Sequence, residues 1–170
     1  NVGAVSGGFK LMANQTLTDF TFMDPIAADI NGDGAKEILL GTQADIQVRS
    51  NQLALIWGRP LYMSTAVAAA DIDGDGKYEV FGGNATGHLL ALRPLDGVPL
   101  WSADVGSSIV SLTAADLLSD GIMDLIVTDV SGIVSVLNAS NGHLRWSGKV
   151  LTGAPNPPTI GDLDGDGRLD

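Results

Sequence analysis

Four short stretches hold most of the chain's capacity for chemistry. They are DINGDGAKE (Asp29 to Glu37), DIDGDGKYE (Asp71 to Glu79), DLLSDGIMD (Asp116 to Asp124) and DLDGDGRLD (Asp162 to Asp170), and together they contain 14 of the 20 acidic residues. Any one of them alone could be an acidic turn, because Asp and Gly serve turns for backbone reasons. A set repeated in register asks for another explanation. Carboxylates crowded this closely repel one another and take up protons or disorder their loop unless a cation lies among them. Calcium, a hard cation, takes about six to eight oxygens, and a tight loop can offer them from alternate positions.

In the second stretch the donors would be the side chains of Asp71, Asp73 and Asp75, the Lys77 carbonyl, and Glu79 at the start of the next element. Gly74 and Gly76 permit the positive φ angles that turn alternate side chains inward. The first stretch offers Asp29, Asn31, Asp33, the Ala35 carbonyl and Glu37; its one carboxamide still presents an oxygen. The fourth offers Asp162, Asp164, Asp166, the Arg168 carbonyl and Asp170. The third departs from the pattern, with Leu118 where a ligand oxygen belongs and Ser119 in place of glycine. Its Asp116, Asp120 and Asp124 are expected to hydrogen-bond their own loop and to bind metal weakly or not at all. Three calcium ions would bring the formal charge from -11 to -5. Magnesium fits less well, since it retains its waters and prefers few carboxylates.

The elements that must hold these loops recur with them. The first residues of the four stretches lie 42, 45 and 46 positions apart, close to the period of one four-stranded propeller blade. Each loop follows a small apolar run (PIAAD, VAAAD, LTAAD, PTIGD) and leads into another (EILLG, EVFGG, DLIVT), too short for helices and suited to buried strands. A third strand follows (LLALR, VSVLN), then DGVPLW or NGHLRW, closing on Trp101 or Trp146, with Trp57 in the same phase. The predicted fold is all-β, with blades of four antiparallel strands over approximately 24–62, 63–106 and 107–152, flanked by partial blades at 1–23 and 153–170. Both ends fall at one phase, Gly8 aligning with Gly87 and Leu11 with Leu90. A closed four-blade propeller and a segment of a longer array both fit. The expectation is a segment of a larger propeller, since four blades is the lower limit of the architecture.

Composition narrows the partners. With 170 residues and 45% hydrophobic content, the chain can bury one sizeable core. Nine scattered Lys and Arg against a net charge of -11 make no patch for a phosphate backbone, which argues against nucleic acid. The lack of cysteine excludes disulfides and thiolate metal sites but chooses no compartment. No apolar run approaches the ~18 to 20 residues that span a bilayer, so direct membrane insertion by this segment is not expected.

The loops resemble the FG-GAP repeat, also called VCBS, of the integrin alpha-subunit β-propeller and related extracellular proteins. The family form D-x-D/N-x-D-G-x-x-D is met at Asp29/Asn31/Asp33/Gly34, Asp71/Asp73/Asp75/Gly76 and Asp162/Asp164/Asp166/Gly167. The chain departs from it at Glu37, Glu79 and Leu118. The resemblance implies calcium held in the hairpin between the first two strands of a blade, an extracellular or cell-surface location, and recognition of a protein or glycan. GHLLALRPLDGVPLW and GIVSVLNASNGHLRW also resemble the blade repeat of pyrroloquinoline-quinone dehydrogenases.

Two other classes stay open: a structural array whose loops stiffen successive blades, and a propeller enzyme, either a quinone-dependent dehydrogenase or a polysaccharide lyase. The enzyme has little support, because His88 and His143 read as turn residues and no nucleophile sits in an elbow motif. The tryptophans read as packing between blades rather than as sugar platforms. Arg59, Arg93 and Arg145 read as solvated, or as a face for acidic ligands. Asn14, Asn84 and Asn138 each begin an N-glycosylation pattern, the last two at expected turns or strand ends, in keeping with a secreted protein.

Overall fold

A computed structural model describes residues 23–150, 158–165, 167 and 169. The partial blade at 1–23, apart from Met23, lies outside these residues, as do Asn14, Asp166, Arg168 and Asp170.

Among the described residues, twelve strands form three four-stranded antiparallel sheets, each built from strands consecutive in the chain. The first holds β1 (Ile26–Ala28), β2 (Glu37–Gly41), β3 (Asp45–Arg49) and β4 (Leu55–Pro60). The second holds β5 (Ser64–Ala70), β6 (Glu79–Asn84), β7 (His88–Leu92) and β8 (Pro99–Asp104). The third holds β9 (Ile109–Ala115), β10 (Asp124–Asp129), β11 (Ile133–Asn138) and β12 (Leu144–Lys149). These up-and-down sheets are the blades expected from the repeat, and no helix occurs among the described residues.

The burial pattern explains why the inner strands read as unbroken apolar runs. In the middle blade, Ala66, Ala68, Ala70, Phe81, Leu89 and Ala91 enter one core with Ile109, Leu112, Leu125 and Val127 of the third blade. The alternate residues Val67, Val80, Leu90 and Leu92 enter another with Leu39, Ile46 and Val48 of the first. Successive side chains of a strand point to opposite faces, so a sheet packed on both sides needs apolar residues at both parities. All six residues of β6 are buried, whereas β8 and β12 are largely exposed. Gly82 shows how closely the sheets meet. A Cβ there would fall 1.9 Å from Ile46 Cδ1 of the first blade, so the strand carries glycine at the contact.

The tryptophans pin each blade to the next. Trp57 Nε1 donates to Pro94 O at 2.7 Å in the β7–β8 turn, and its ring lies where a Cβ on Gly97 would stand. Trp101 repeats the contact one blade on, donating to Ala139 O at 2.9 Å, with its ring over Gly142. Trp146 holds the same register on β12 and is 44% exposed.

Candidate metal centre

Each of the first three acidic loops spans the gap between the first and second strands of its blade, joining β1 to β2, β5 to β6 and β9 to β10. The local fold comes from the aspartates themselves. Asp71 accepts from the backbone N–H groups of Gly74 at 2.7 Å and Gly76 at 2.9 Å, and Asp73 and Asp75 each accept from the N–H two residues ahead. Gly74 and Gly76 sit at φ of +79° and +83°. Asp29 does the same for Asp33 and Gly34, Asp116 for Asp120 and Gly121, and Asp162 for Gly165 and Gly167.

The acid that opens the second strand closes each loop. Glu37 and Glu79 are buried, and each turns one oxygen back to a loop backbone N–H, Ile30 at 2.9 Å and Ile72 at 3.1 Å. In the second loop this brings oxygens of Asp71, Asp73 and Glu79 within 4.8 Å of one another. Burial first, then the charges of Asp73 and Asp75, push the Glu79 carboxyl above its ordinary range, against the Ile72 hydrogen bond. Three hard oxygen donors in one concavity suit a calcium-like ion. Asp75 does not join the trio; its carboxylate faces Lys77 Nζ at 2.6 Å, which holds it below the usual carboxylate range. In the first loop Asn31 is drawn in by hydrogen bonds of its Nδ2 to Asp33 and Glu37. A cleft of about 540 Å³ opens beside the second loop, lined by Asp73, Glu79, Arg93, Leu95 and Leu100 among others.

The third loop keeps the backbone pattern and changes the chemistry. Ser119 takes up a positive φ of 53° where the second loop has Gly74, and Leu118 is exposed. Arg145, from β12, brings NH1 to Asp120 Oδ2 at 2.8 Å and Nε to Asp124 Oδ1 at 2.7 Å. The Asp124 approach is an ion pair, so its fully buried carboxylate has a countercharge. Burial raises the Asp124 carboxyl and Arg145 opposes the rise. Asp120, exposed and held by Arg145, lies below its usual value. The expected hydrogen bonds of Asp116 and Asp120 to their own loop are present, but the cation on Asp120 and Asp124 was not foreseen.

Three expectations need correction. The arginines are not an open basic face: Arg59 Nε donates to Gly97 O at 2.6 Å, Arg93 pairs with Asp96, and Arg145 is spent in the third loop. His88 is not a free turn residue, since it opens β7 and pairs with Asp104 at 2.8 Å. Asn84 does not project. It is 7% exposed, its Nδ2 donates to Tyr62 O, and its Oδ1 accepts from Thr86 and His88. Asn138, half-buried, accepts from Ser140 N. The residue that sequence reasoning missed is Arg145 as a loop partner. One signal was available: it precedes the closing Trp where the other blades carry Ile56 and Leu100.

Residues 116–170 match the FG-GAP-like repeat family. No curated protein matches the chain. Among solved structures, the Vibrio cholerae biofilm matrix protein Bap1 is similar at a TM-score of 0.60 and 28% identity, over 78% of this chain and 21% of that one. BamB from Moraxella catarrhalis is similar at a TM-score of 0.54 and 19% identity, over 76% and 39%. The Neurospora crassa Pan2 WD40 domain is similar at 0.55 and 9% identity, over 69% and 34%. The last two likenesses speak to fold alone, and the chain spans well under half the length of each structure.

Proposed function

For a chain that carries an FG-GAP-like repeat on β-propeller blades, we propose a calcium-binding module that recognises a protein or glycan ligand outside the cell. The observation that carries the metal assignment is the convergence of Asp71, Asp73 and Glu79 oxygens within 4.8 Å. Asp29, Asn31, Asp33 and Glu37 form the corresponding set in the first blade, and Asp162 and Asp164 begin one in the fourth loop. Bound there, calcium supplies fixed positive charge and open coordination positions to loops otherwise strained by their own carboxylates.

Recognition is supported by position. The cleft beside the second loop sets acidic donors against exposed Leu95 and Leu100, a surface suited to a ligand that offers an oxygen next to an apolar group. The likeness to a biofilm matrix protein supports a role outside the cell. The histidines add nothing to an enzymatic reading: His88 is engaged by Asp104, and His143 lies exposed in the turn before β12. The test is calcium titration by calorimetry on the intact chain, followed by glycan-array and pull-down binding with calcium and with EDTA. Saturable calcium binding that falls by one site in Asp73→Ala, with ligand capture that depends on calcium, is the expected result. An intact fold that takes up no calcium would remove the reading.

A further inference from the structure

The three loops differ in one correlated way. Where the second loop has an acid at its third position, Asp73, the third loop has Leu118. Where the first and second blades carry Ile56 and Leu100 before the closing tryptophan, both exposed, the third carries Arg145. A lost anionic donor and a gained cation therefore occur in the same blade. The geometry joins them: Arg145 spans Asp120 and Asp124, the counterparts of Asp75 and Glu79, at 2.8 and 2.7 Å. Lys77 in the second loop reaches Asp75 alone and leaves buried Glu79 without a cation.

We propose that the Arg145 guanidinium is the resident cation of the third loop, standing in for a metal ion and making this blade independent of calcium. Three features support the exchange. A guanidinium is always charged and presents its donors in a rigid fork that can meet two carboxylates at once. A buried acid such as Asp124 is costly unless a countercharge accompanies it. Leu118 in turn removes the donor that a metal would need and a guanidinium would not. The side chain comes from β12 of the same sheet, so the cation is delivered by the blade's own outer strand and needs nothing from solution.

The inference rests on the calcium reading for its contrast with the second loop, and the test separates the two. Amide hydrogen exchange is followed in the wild-type chain, in Arg145→Met and in Leu118→Asp/Arg145→Met, each in EDTA and in millimolar calcium, with calcium stoichiometry from native mass spectrometry. In the wild type, the amides of Asp120, Gly121 and Ile122 exchange equally in both buffers, while those of Gly74, Gly76 and Lys77 exchange about tenfold faster in EDTA. Arg145→Met accelerates the third loop in both buffers. The double variant regains protection only with calcium and gains one bound ion. Calcium-dependent protection of the wild-type third loop overturns the assignment, and this comparison stands even if the variants do not fold. So does an Arg145→Met loop that exchanges like wild type. A second loop indifferent to calcium counts against the metal reading alone, because the EDTA arm still judges Arg145.

Discussion

The second and third blades share a strand plan, a loop scaffold and a tryptophan register, yet they handle the same charge problem differently. The Asp71–Glu79 loop gathers three carboxylates within 4.8 Å. The Asp116–Asp124 loop drops one and supplies Arg145. One backbone hydrogen bond is common to both: Asp71 caps Gly76 and Asp116 caps Gly121, each at 2.9 Å. The loop fold is thus set by the leading aspartate and its glycine, and its cation can change while that scaffold persists.

The comparison can be broken most severely at Arg145. Arg145→Met leaves Asp124 buried without a countercharge, and its expected cost exceeds that of losing a calcium site, read as a fall of several degrees in Tm at neutral pH. The deficit should narrow on acidification. Without Arg145 the folded-state pKa of Asp124 lies further above the unfolded value, so its contribution is most favourable when protonated and is lost as pH rises through the folded pKa.

Chelation should act on the other side of the comparison. At millimolar calcium and a dissociation constant near 10⁻⁴ M, each occupied site adds about 1.4 kcal/mol. EDTA should lower Tm, Asp73→Ala should remove part of that shift, and Arg145→Met should leave the shift intact. A chelator shift that survived Asp73→Ala unchanged would assign the calcium elsewhere.

The closing tryptophans give a smaller contrast. Trp101→Phe removes the bond to Ala139 O and should cost about 1 kcal/mol in chemical denaturation. Trp146→Phe, at an exposed ring, should stay within about 0.5 kcal/mol of wild type. Equal losses would contradict the packing role.

The smallest expected effect is the pH response of Glu79 in EDTA. Its folded-state pKa is raised, chiefly by burial. Its contribution is therefore fully present below the unfolded pKa and declines as pH rises through the folded pKa. Glu79→Gln should flatten that part of the stability profile, from the ordinary Glu range upward. Calcium should flatten it in the wild type by favouring the carboxylate.

Much of the architecture was legible in the sequence because its determinants are local and repeated. The 42 to 46 residue spacing, the Gly-punctuated acidic loops and the both-parity apolar runs each report a short-range requirement, and twelve strands follow from them. The trio Asp71, Asp73 and Glu79 was legible for the same reason, since one loop and one strand start place it. Arg145 was not. It meets Asp120 across 25 residues, and that meeting depends on β12 lying where its side chain can reach the β9–β10 loop. Asn84 misled in a related way: the three-residue pattern is visible, but the hydrogen bond of its amide to Tyr62 O, 22 residues away, is not.

The tryptophan contacts also give the structure a direction in time. The indole N–H groups of Trp57 and Trp101 are each answered by a carbonyl 37 or 38 residues later in the chain. During synthesis a newly formed blade therefore waits for its successor. At ribosomal speeds that wait lasts roughly 2 to 8 seconds, during which the ring has no partner turn and its apolar face is open to nascent neighbours. A translational pause shortly after a closing tryptophan would prolong that exposure, whereas one placed after the following turn would fall when the blade is already latched.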